Sequence, residues 1–414
     1  MAVVAARACC MLALVLAPAG PLAAQWMPSG PLTLGGGSVV IGAEASVSVS
    51  VPEDQQYFNN STDSYSLLRL VRLDVSAEWK VTSNVALVGD LRVLGGIDPE
   101  AGGWKVRPHA AFVRVRPWPG RMLAVQAGII PPVFGSFSRR AYAAGNPLVG
   151  IPLAYHYLTS LRPDSLPASA DEVLARRGRG WRVRHSIGSR EFDNGVPVVD
   201  GLRYPTGVEL AGSRGPIEGG IAFTSGSLSE SWGRERARGA AISARAAARP
   251  AVGLVVGVSA ARSGFVAGSL AARLAASGER SASSQSAFGL DLEYSWGHWL
   301  LRGEAVHSRW AIPAFDSPAI DSPLTALAAH LEARYRVLPG FYLASRVERL
   351  GFGRVTGSNG QPTPWEAPVS RVEIGGGYLL ARNLLVKASY QRNSRDASLP
   401  SARGFFAAQL LAWF

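Results

Sequence analysis

Cysteine is nearly absent from this chain. Of 414 residues only Cys9 and Cys10 are cysteine, and both fall near the N-terminus. The rest of the chain has none, which excludes disulfide staples, thiolate metal sites and cysteine nucleophiles. Long hydrophobic runs are missing too. The best, Ala251–Ala261, stops at Arg262, well short of the roughly 20 residues a membrane-spanning helix needs. Charge is sparse, at 17% of residues against about one quarter in soluble domains. Lysine is sparser still: Lys80, Lys105 and Lys387 are the only lysines among 42 basic residues. The six histidines (His109, His156, His185, His298, His307, His330) make no metal-spaced pair, and no G-x-S-x-G or H-E-x-x-H run occurs. No metal, cofactor or catalytic residue is expected. The arginines are dispersed, and export, argued next, counts against nucleic acid as a partner.

What is present begins with a leader. Arg7, the apolar Ala8–Ala17, the breakers Pro18, Gly20 and Pro21, and the small pair Ala23-Ala24 predict a secretory signal peptide over 1–24. The remainder, 25–414, is read as one domain. Apolar residues make up 47%, glycine numbers 46, and the net charge is +12. An exported chain of this kind without a spanning helix is either soluble beyond the inner membrane or a barrel in the outer one.

Period-two alternation favours the barrel. Val71, Leu73, Val75, Ala77 and Trp79 share one face, with Arg72, Asp74, Ser76, Glu78 and Lys80 on the other. Phe288, Leu290, Leu292, Tyr294 and Trp296 alternate likewise with Gly289, Asp291, Glu293 and Ser295. Sixteen strands are predicted, at about 38–51, 64–80, 85–96, 104–116, 121–129, 207–213, 216–226, 237–248, 251–262, 285–296, 298–309, 325–337, 340–350, 369–380, 384–394 and 403–414. Many run to eleven residues or more, enough for the roughly 9–11 that cross a bilayer at a tilt. Short turns alternate with longer connections, and aromatics crowd the short ones: Trp79, Trp118, Trp296, Trp299, Tyr335, Phe341, Tyr378, Trp413 and Phe414. A girdle at the headgroup level has that distribution. By alternation Arg72, Arg92, Arg245, Arg302, Arg334, Arg336, Arg346, Arg371 and Lys387 line the lumen wall, with Asp74, Asp90, Glu209, Asp291, Glu293, Glu304, Glu332, Glu348 and Glu373. Neutralisation between neighbouring strands is expected for most of them. The strand 104–116 changes phase near Ala110, which leaves Arg107, Arg114 and Arg116 unassigned.

One stretch breaks the rhythm. Residues 130–206 carry no long alternating segment, eight prolines, ten arginines and six acids. A structureless insert of that length is functional or disordered. Ser169-Ala170-Asp171-Glu172 is a capping box and Gly178 suits a helix C-terminus, so a short helix is predicted at about 170–177. Arg176, Arg177, Arg179, Arg182 and Arg184 follow closely, and Arg139 and Arg140 lie upstream. Guanidinium groups bind phosphate or carboxylate through paired hydrogen bonds. These seven arginines are expected to form a positive constriction that favours anions. The alternative is an extracellular cluster pairing with lipid phosphates or loop acids.

Phe414 closes an alternating strand in a chain with a leader, and this resembles bacterial outer-membrane barrels. The resemblance covers the whole mature chain in architecture, and it implies that the insertion machinery reads the terminal strand. The run Gly128-Ile129-Ile130-Pro131-Pro132-Val133-Phe134-Gly135 is similar to the one where phosphate-selective porins enter their long third loop. The expected fold is all-β: a transmembrane antiparallel β-barrel of about 16 strands, its long third extracellular loop, 130–206, folded into the lumen. The expected function is a porin for passive diffusion of small hydrophilic solutes, anions preferred, in contact with outer-membrane lipid; a homotrimer is implied by resemblance alone. The competing reading is a plugged barrel with a structural, adhesive or lipid-hydrolase-like role. Ser358-Asn359-Gly360 is similar to a run in outer-membrane phospholipases, but Thr356 stands where their histidine would be.

Overall fold

A computed structural model describes residues 30–52, 70–96, 104–118, 122–230 except 141, 239–268, 283–313, 315–320, 323–396 and 403–414, together with 28, 270, 272 and 274. The predicted leader, 1–24, lies outside the described residues, as do the predicted loop residues 53–63 and 98–103.

Sixteen strands form the barrel among the described residues. The first eight are β1 (Val39–Pro52), β2 (Leu70–Lys80), β3 (Val85–Gly96), β4 (Lys105–Val115), β5 (Leu123–Ile129), β6 (Thr206–Arg214), β7 (Ile217–Ser225) and β8 (Ala240–Ala251). The rest are β9 (Leu254–Gly264), β10 (Ser284–Trp296), β11 (Trp299–Trp310), β12 (Leu324–Leu338), β13 (Phe341–Phe352), β14 (Val369–Ala381), β15 (Leu384–Arg395) and β16 (Gly404–Trp413). Each pairs antiparallel with its sequence neighbours, and β16 returns to β1 through Glu44↔Trp413 to Pro52↔Phe405. Closure leaves no free sheet edge, which is what lets strands live in lipid.

Over the described residues the predicted strands agree with these to within a few residues; residues 64–69 of the second predicted strand lie outside the described residues. The phase change near Ala110 has a local cause. Asp90 pairs with Ala110 but Leu91 with Pro108, so His109 is an extra residue, a β-bulge. The 81–84 turn is held by Thr82, whose hydroxyl accepts from the amides of Asn84 (3.2 Å) and Val85 (3.1 Å).

Alternation sorts the two faces. Phe288, Leu290, Leu331, Leu343, Ile374 and Phe406 are exposed on the outside, while Asp291, Glu304, Glu332, Arg346, Glu373 and Lys387 are buried within. Exposed apolar outside and shielded charge inside is the inverse of a soluble sandwich, and it is the distribution a lipid solvent imposes. Trp79, Trp118, Trp296, Trp299 and Tyr378 stand exposed by the short turns. Fold and belt together assign the chain to the bacterial outer membrane.

Candidate channel site

The 130–206 insert leaves β5 at a glycine. Gly128 has φ 134°, and a Cβ there would strike the Ala111 carbonyl. Gly135, φ 76°, ends the same run, and a Cβ there would meet the Tyr155 hydroxyl (2.5 Å) and Glu304 Oε1 (2.8 Å). Both glycines therefore answer to backbone conformation and crowding. The amide of Ile130 donates to Pro205 O (2.9 Å) and closes the neck of the insert.

From that neck, residues 135–160 run against inward-facing side chains of the wall. Gly135 N donates to Ser259 Oγ (3.1 Å) on β9, and Ser136 N to Glu304 Oε1 (2.7 Å) on β11. Tyr155 donates to the same carboxylate at 2.9 Å. The Ala143 and Ala144 amides donate to Glu44 on β1 (2.8 and 3.0 Å). The Tyr142 hydroxyl donates to Asp90 on β3 (2.7 Å), and the guanidinium groups of Arg72 and Arg92 lie 5.1 and 5.7 Å from its ring centre.

The densest anchorage comes from β13–β15. Lys387 Nζ, fully shielded, donates to the carbonyls of Ala143 (2.9 Å), Asn146 (2.9 Å) and Leu148 (3.3 Å). Gly150 donates to Glu373 (2.9 Å) and accepts from Arg346 (2.8 Å). Arg371 donates to Ile151 O (3.0 Å), and Leu153 N to Glu348 (2.6 Å). A segment too irregular to satisfy its own backbone thus has it satisfied by charged wall groups, as buried polar atoms require.

The wall charges mostly pair among themselves. Asp74 takes both Arg72 and Arg92, Arg245 meets Asp291 at 2.6 Å, and Arg302 meets Glu293 at 2.7 Å. Arg346 reaches Glu332 (3.2 Å), Glu348 (3.0 Å) and Glu373 (2.7 Å). Glu332 is also approached by Arg302 (3.6 Å) and Arg140 (3.7 Å). Arg334 and Arg336 face water near the short-turn end, Arg334 over the Tyr342 ring at 5.8 Å.

The later part of the insert packs at the long-loop end. The predicted helix is present at Ala170–Ala175, and the Ser169 hydroxyl accepts from Glu172 N. Ala170 N donates to Pro318 O (2.9 Å), Ser358 N to Asp171 (2.8 Å), and Arg395 to Gly178 O (3.0 Å). Leu161, Leu166, Val173, Val196 and Val198 share one apolar core with Trp310 and Trp365. Glu366 accepts from the amides of Ser160 (2.7 Å) and Gly178, and burial raises its pKa.

The seven arginines of the insert are dispersed by this packing. Arg140 sits by Glu332 inside the barrel, and the Arg139 side chain lies outside the described residues. Arg176 caps the helix half-buried, and Arg177 faces Asp396 at 3.8 Å. Arg179, Arg182 and Arg184 are exposed, the last two stacked over Phe192 at 4.8 and 4.9 Å. Arg162 serves the insert's own interior, gripping Asp164 (2.9 and 2.6 Å) and Val183 O (2.6 Å). Sequence reasoning missed the anchoring role of Glu44, Glu304, Glu366 and Tyr142. Their only signal was position on the inward face or in a loop; the three glutamates accept from backbone amides of the insert, and Tyr142 donates to the Asp90 carboxylate.

Glu172 gives this region a pH dependence. Burial alone would raise its carboxyl, but the neighbouring His185, the Ala168 amide (2.7 Å) and Ser186 (2.7 and 2.9 Å) hold it at about 2. A depressed carboxylate stabilises the fold above its unfolded pKa, and that contribution fades as pH falls toward 2. The Ser186 amide is therefore expected to lose hydrogen-exchange protection between about pH 4.5 and 2. Glu172→Gln should remove that step; an unchanged profile would show that the contact contributes nothing.

Cavities lie along the β6–β8 arc. One of about 460 Å³ lies between the roots of the insert and β7–β8, lined by Val133, Asp200, Arg203, Tyr204, Thr224 and Ser243 among others. Another of about 230 Å³ lies toward the short-turn end, against Arg116, Ala211, Ser213, Glu218 and Arg245. The inward positions of this arc are mostly small: Ala211 and Ser213 on β6, Gly220 and Ala222 on β7, Ala241 and Ser243 on β8.

No protein-family profile matches the sequence, and no curated protein sequence does. The fold, however, matches solved structures along nearly the whole chain. The anion-selective porin from Comamonas acidovorans aligns at 11% identity and TM-score 0.54, covering 91% of this chain and 99% of that one. OmpF of Salmonella typhi, solved with daunomycin, aligns at 9% identity and TM-score 0.55, over 91% and 97%. The outer membrane channel DcaP of Acinetobacter baumannii aligns at 9% and 0.53, over 93% and 100%. At these identities the likeness defines the fold: a porin-type outer-membrane β-barrel.

Proposed function

We propose that this chain is a passive diffusion channel for small hydrophilic solutes, with a preference for anions. One observation carries the reading. The insert is anchored to β1, β3, β9, β11 and β13–β15, while the β6–β8 arc keeps small inward side chains and a cavity toward each end. A conduction path along that arc follows, and the insert sets its width. The names of the aligned porin and channel structures support the reading by analogy of fold.

The anion preference rests on unbalanced charge. Three of the partly exposed inward carboxylates have arginine partners, Glu78 with Arg114 (3.3 Å), Glu218 with Arg249 (2.7 Å) and Glu293 with Arg302 (2.7 Å), while Glu44 is taken up by the Ala143 and Ala144 amides. Arg182, Arg184, Arg334 and Arg336 face water with no carboxylate in ion-pair reach among the described residues. Their field would enrich anions at both mouths. Size exclusion at the insert does the rest. A homotrimer, contact with outer-membrane lipid and recognition of the Phe414 strand by the insertion machinery belong to the same proposal.

The deciding experiment is single-channel recording of refolded protein across a KCl gradient. Discrete openings with an anion-sign reversal potential are expected, and Arg182→Gln with Arg184→Gln should move that potential toward zero. Cation-sign reversal would sink the selectivity. Silence from a heat-modifiable barrel would leave the plugged-barrel reading in its place.

A further inference from the structure

We propose that Arg262, Arg309, Arg349 and Arg392 form an outward-facing belt that binds the phosphates of an outer-leaflet glycolipid along one side of the barrel. The inference stands on the barrel's seat in the membrane and is independent of whether it conducts.

Register places all four on the lipid side. Arg262 pairs with Ile242, which is exposed on the outer face. Arg309 shares a row with Arg262 through Ser286. Arg349 lies two residues beyond the exposed Val347, and Arg392 pairs with the exposed Val372. All four are exposed.

Height comes from counting. Leu254 to Arg262, Phe341 to Arg349 and Leu384 to Arg392 span eight residues, and Trp299 to Arg309 spans ten. At about 3.4 Å per residue and a tilt of 35–45°, that is roughly 19–28 Å above the short-turn end. The apolar band of such barrels is about 25 Å tall. The arginines therefore crown the apolar belt where headgroups begin, at the long-loop end, which faces outward from the cell. They sit on alternate strands, about 9–10 Å apart perpendicular to the strands; Arg262 and Arg309 share a row, Arg349 lies four residues along β12 from the row of Arg309, and Arg392 lies two residues along β14 from that of Arg349.

No described acid of the barrel wall neutralises them. The acids of β9–β16 (Asp291, Glu293, Glu304, Glu332, Glu348, Glu373) all face inward. No carboxylate among the described residues lies in ion-pair reach of the four, and Arg349 has only the Ser370 hydroxyl, at 2.5 Å. A guanidinium group at a lipid boundary can pair with phosphate through two parallel hydrogen bonds, and phosphate is the anion a membrane offers there. The belt is one-sided: on β16 and β1–β8 the described strand arginines Arg72, Arg92, Arg107, Arg114, Arg245 and Arg249 face inward, Arg214 lies at the short-turn end, and the upper outward positions are apolar or small, such as Val49, Val71, Phe223 and Ile242.

The test is native mass spectrometry of the detergent-folded full chain with two probes, a diglucosamine lipid carrying two phosphates and the same lipid dephosphorylated. Wild type should retain the phosphorylated lipid at least tenfold more tightly. Replacing all four arginines by serine should abolish that margin, and each single replacement should lower it by up to about fivefold. Equal retention of the two lipids by wild type would overturn the proposal, even if the fourfold variant fails to fold. So would a folded variant that keeps the margin. Displacement of the lipid by equimolar inorganic phosphate would assign the arginines to free anions and overturn the lipid reading.

Discussion

Arg346→Met is expected to destabilise the barrel by about 3–5 kcal/mol, the cost of removing one partner from a buried ionic cluster. Arg346 is completely shielded and bonds Glu332, Glu348, Glu373 and the Gly150 carbonyl. Its loss leaves three carboxylates facing one another where water is excluded, with Arg371 (3.8 Å from Glu348), Arg302 and Arg140 as the nearest compensation. The temperature at which the folded gel form converts to the unfolded one measures the effect. Adding Glu348→Gln and Glu373→Gln should recover part of it, because the orphaned charges are then gone. A single variant as heat-resistant as wild type would mean that water or neighbouring arginines already satisfy the cluster.

Lys387→Met is expected to loosen the insert and, on the proposed diffusion-channel reading, to widen the path. One ammonium group holds three carbonyls, on Ala143, Asn146 and Leu148. Methionine fills the volume but donates nothing, and each buried acceptor left without a partner costs about 1–3 kcal/mol. The 143–148 turn has other ties, Glu44 on one side and Glu373 through Gly150 on the other, so it should fluctuate more than detach. Single-channel conductance should rise several-fold, with added open-state noise. Conductance and noise equal to wild type would remove the insert from the conduction path.

Both expectations concern residues that alternation had already set on the lumen wall. What alternation did not reveal is their occupation. Arg346, Arg371 and Lys387 hold backbone carbonyls of a segment some two hundred residues earlier in the chain, and a backbone carbonyl leaves no mark in the sequence. The charged cluster at 176–184 was conspicuous for its density, yet density says nothing of location. Packing of Leu166 and Val173 with Trp310 and Trp365 carries that part of the insert to the long-loop end. The bulge at His109 lies between these cases. Its phase change was visible, and the pairing of Asp90 with Ala110 explains it.

By itself the sequence determined the barrel: strand number, the apolar outer face, the charged inner face, and the aromatic ends. Those follow from a two-residue period and from lipid as solvent, both local properties. Tertiary structure alone decided how the insert lies, which charges neutralise which, and which arginines stay in water. Such outcomes depend on contacts between residues far apart in the chain, where shape and desolvation choose the partner and composition does not.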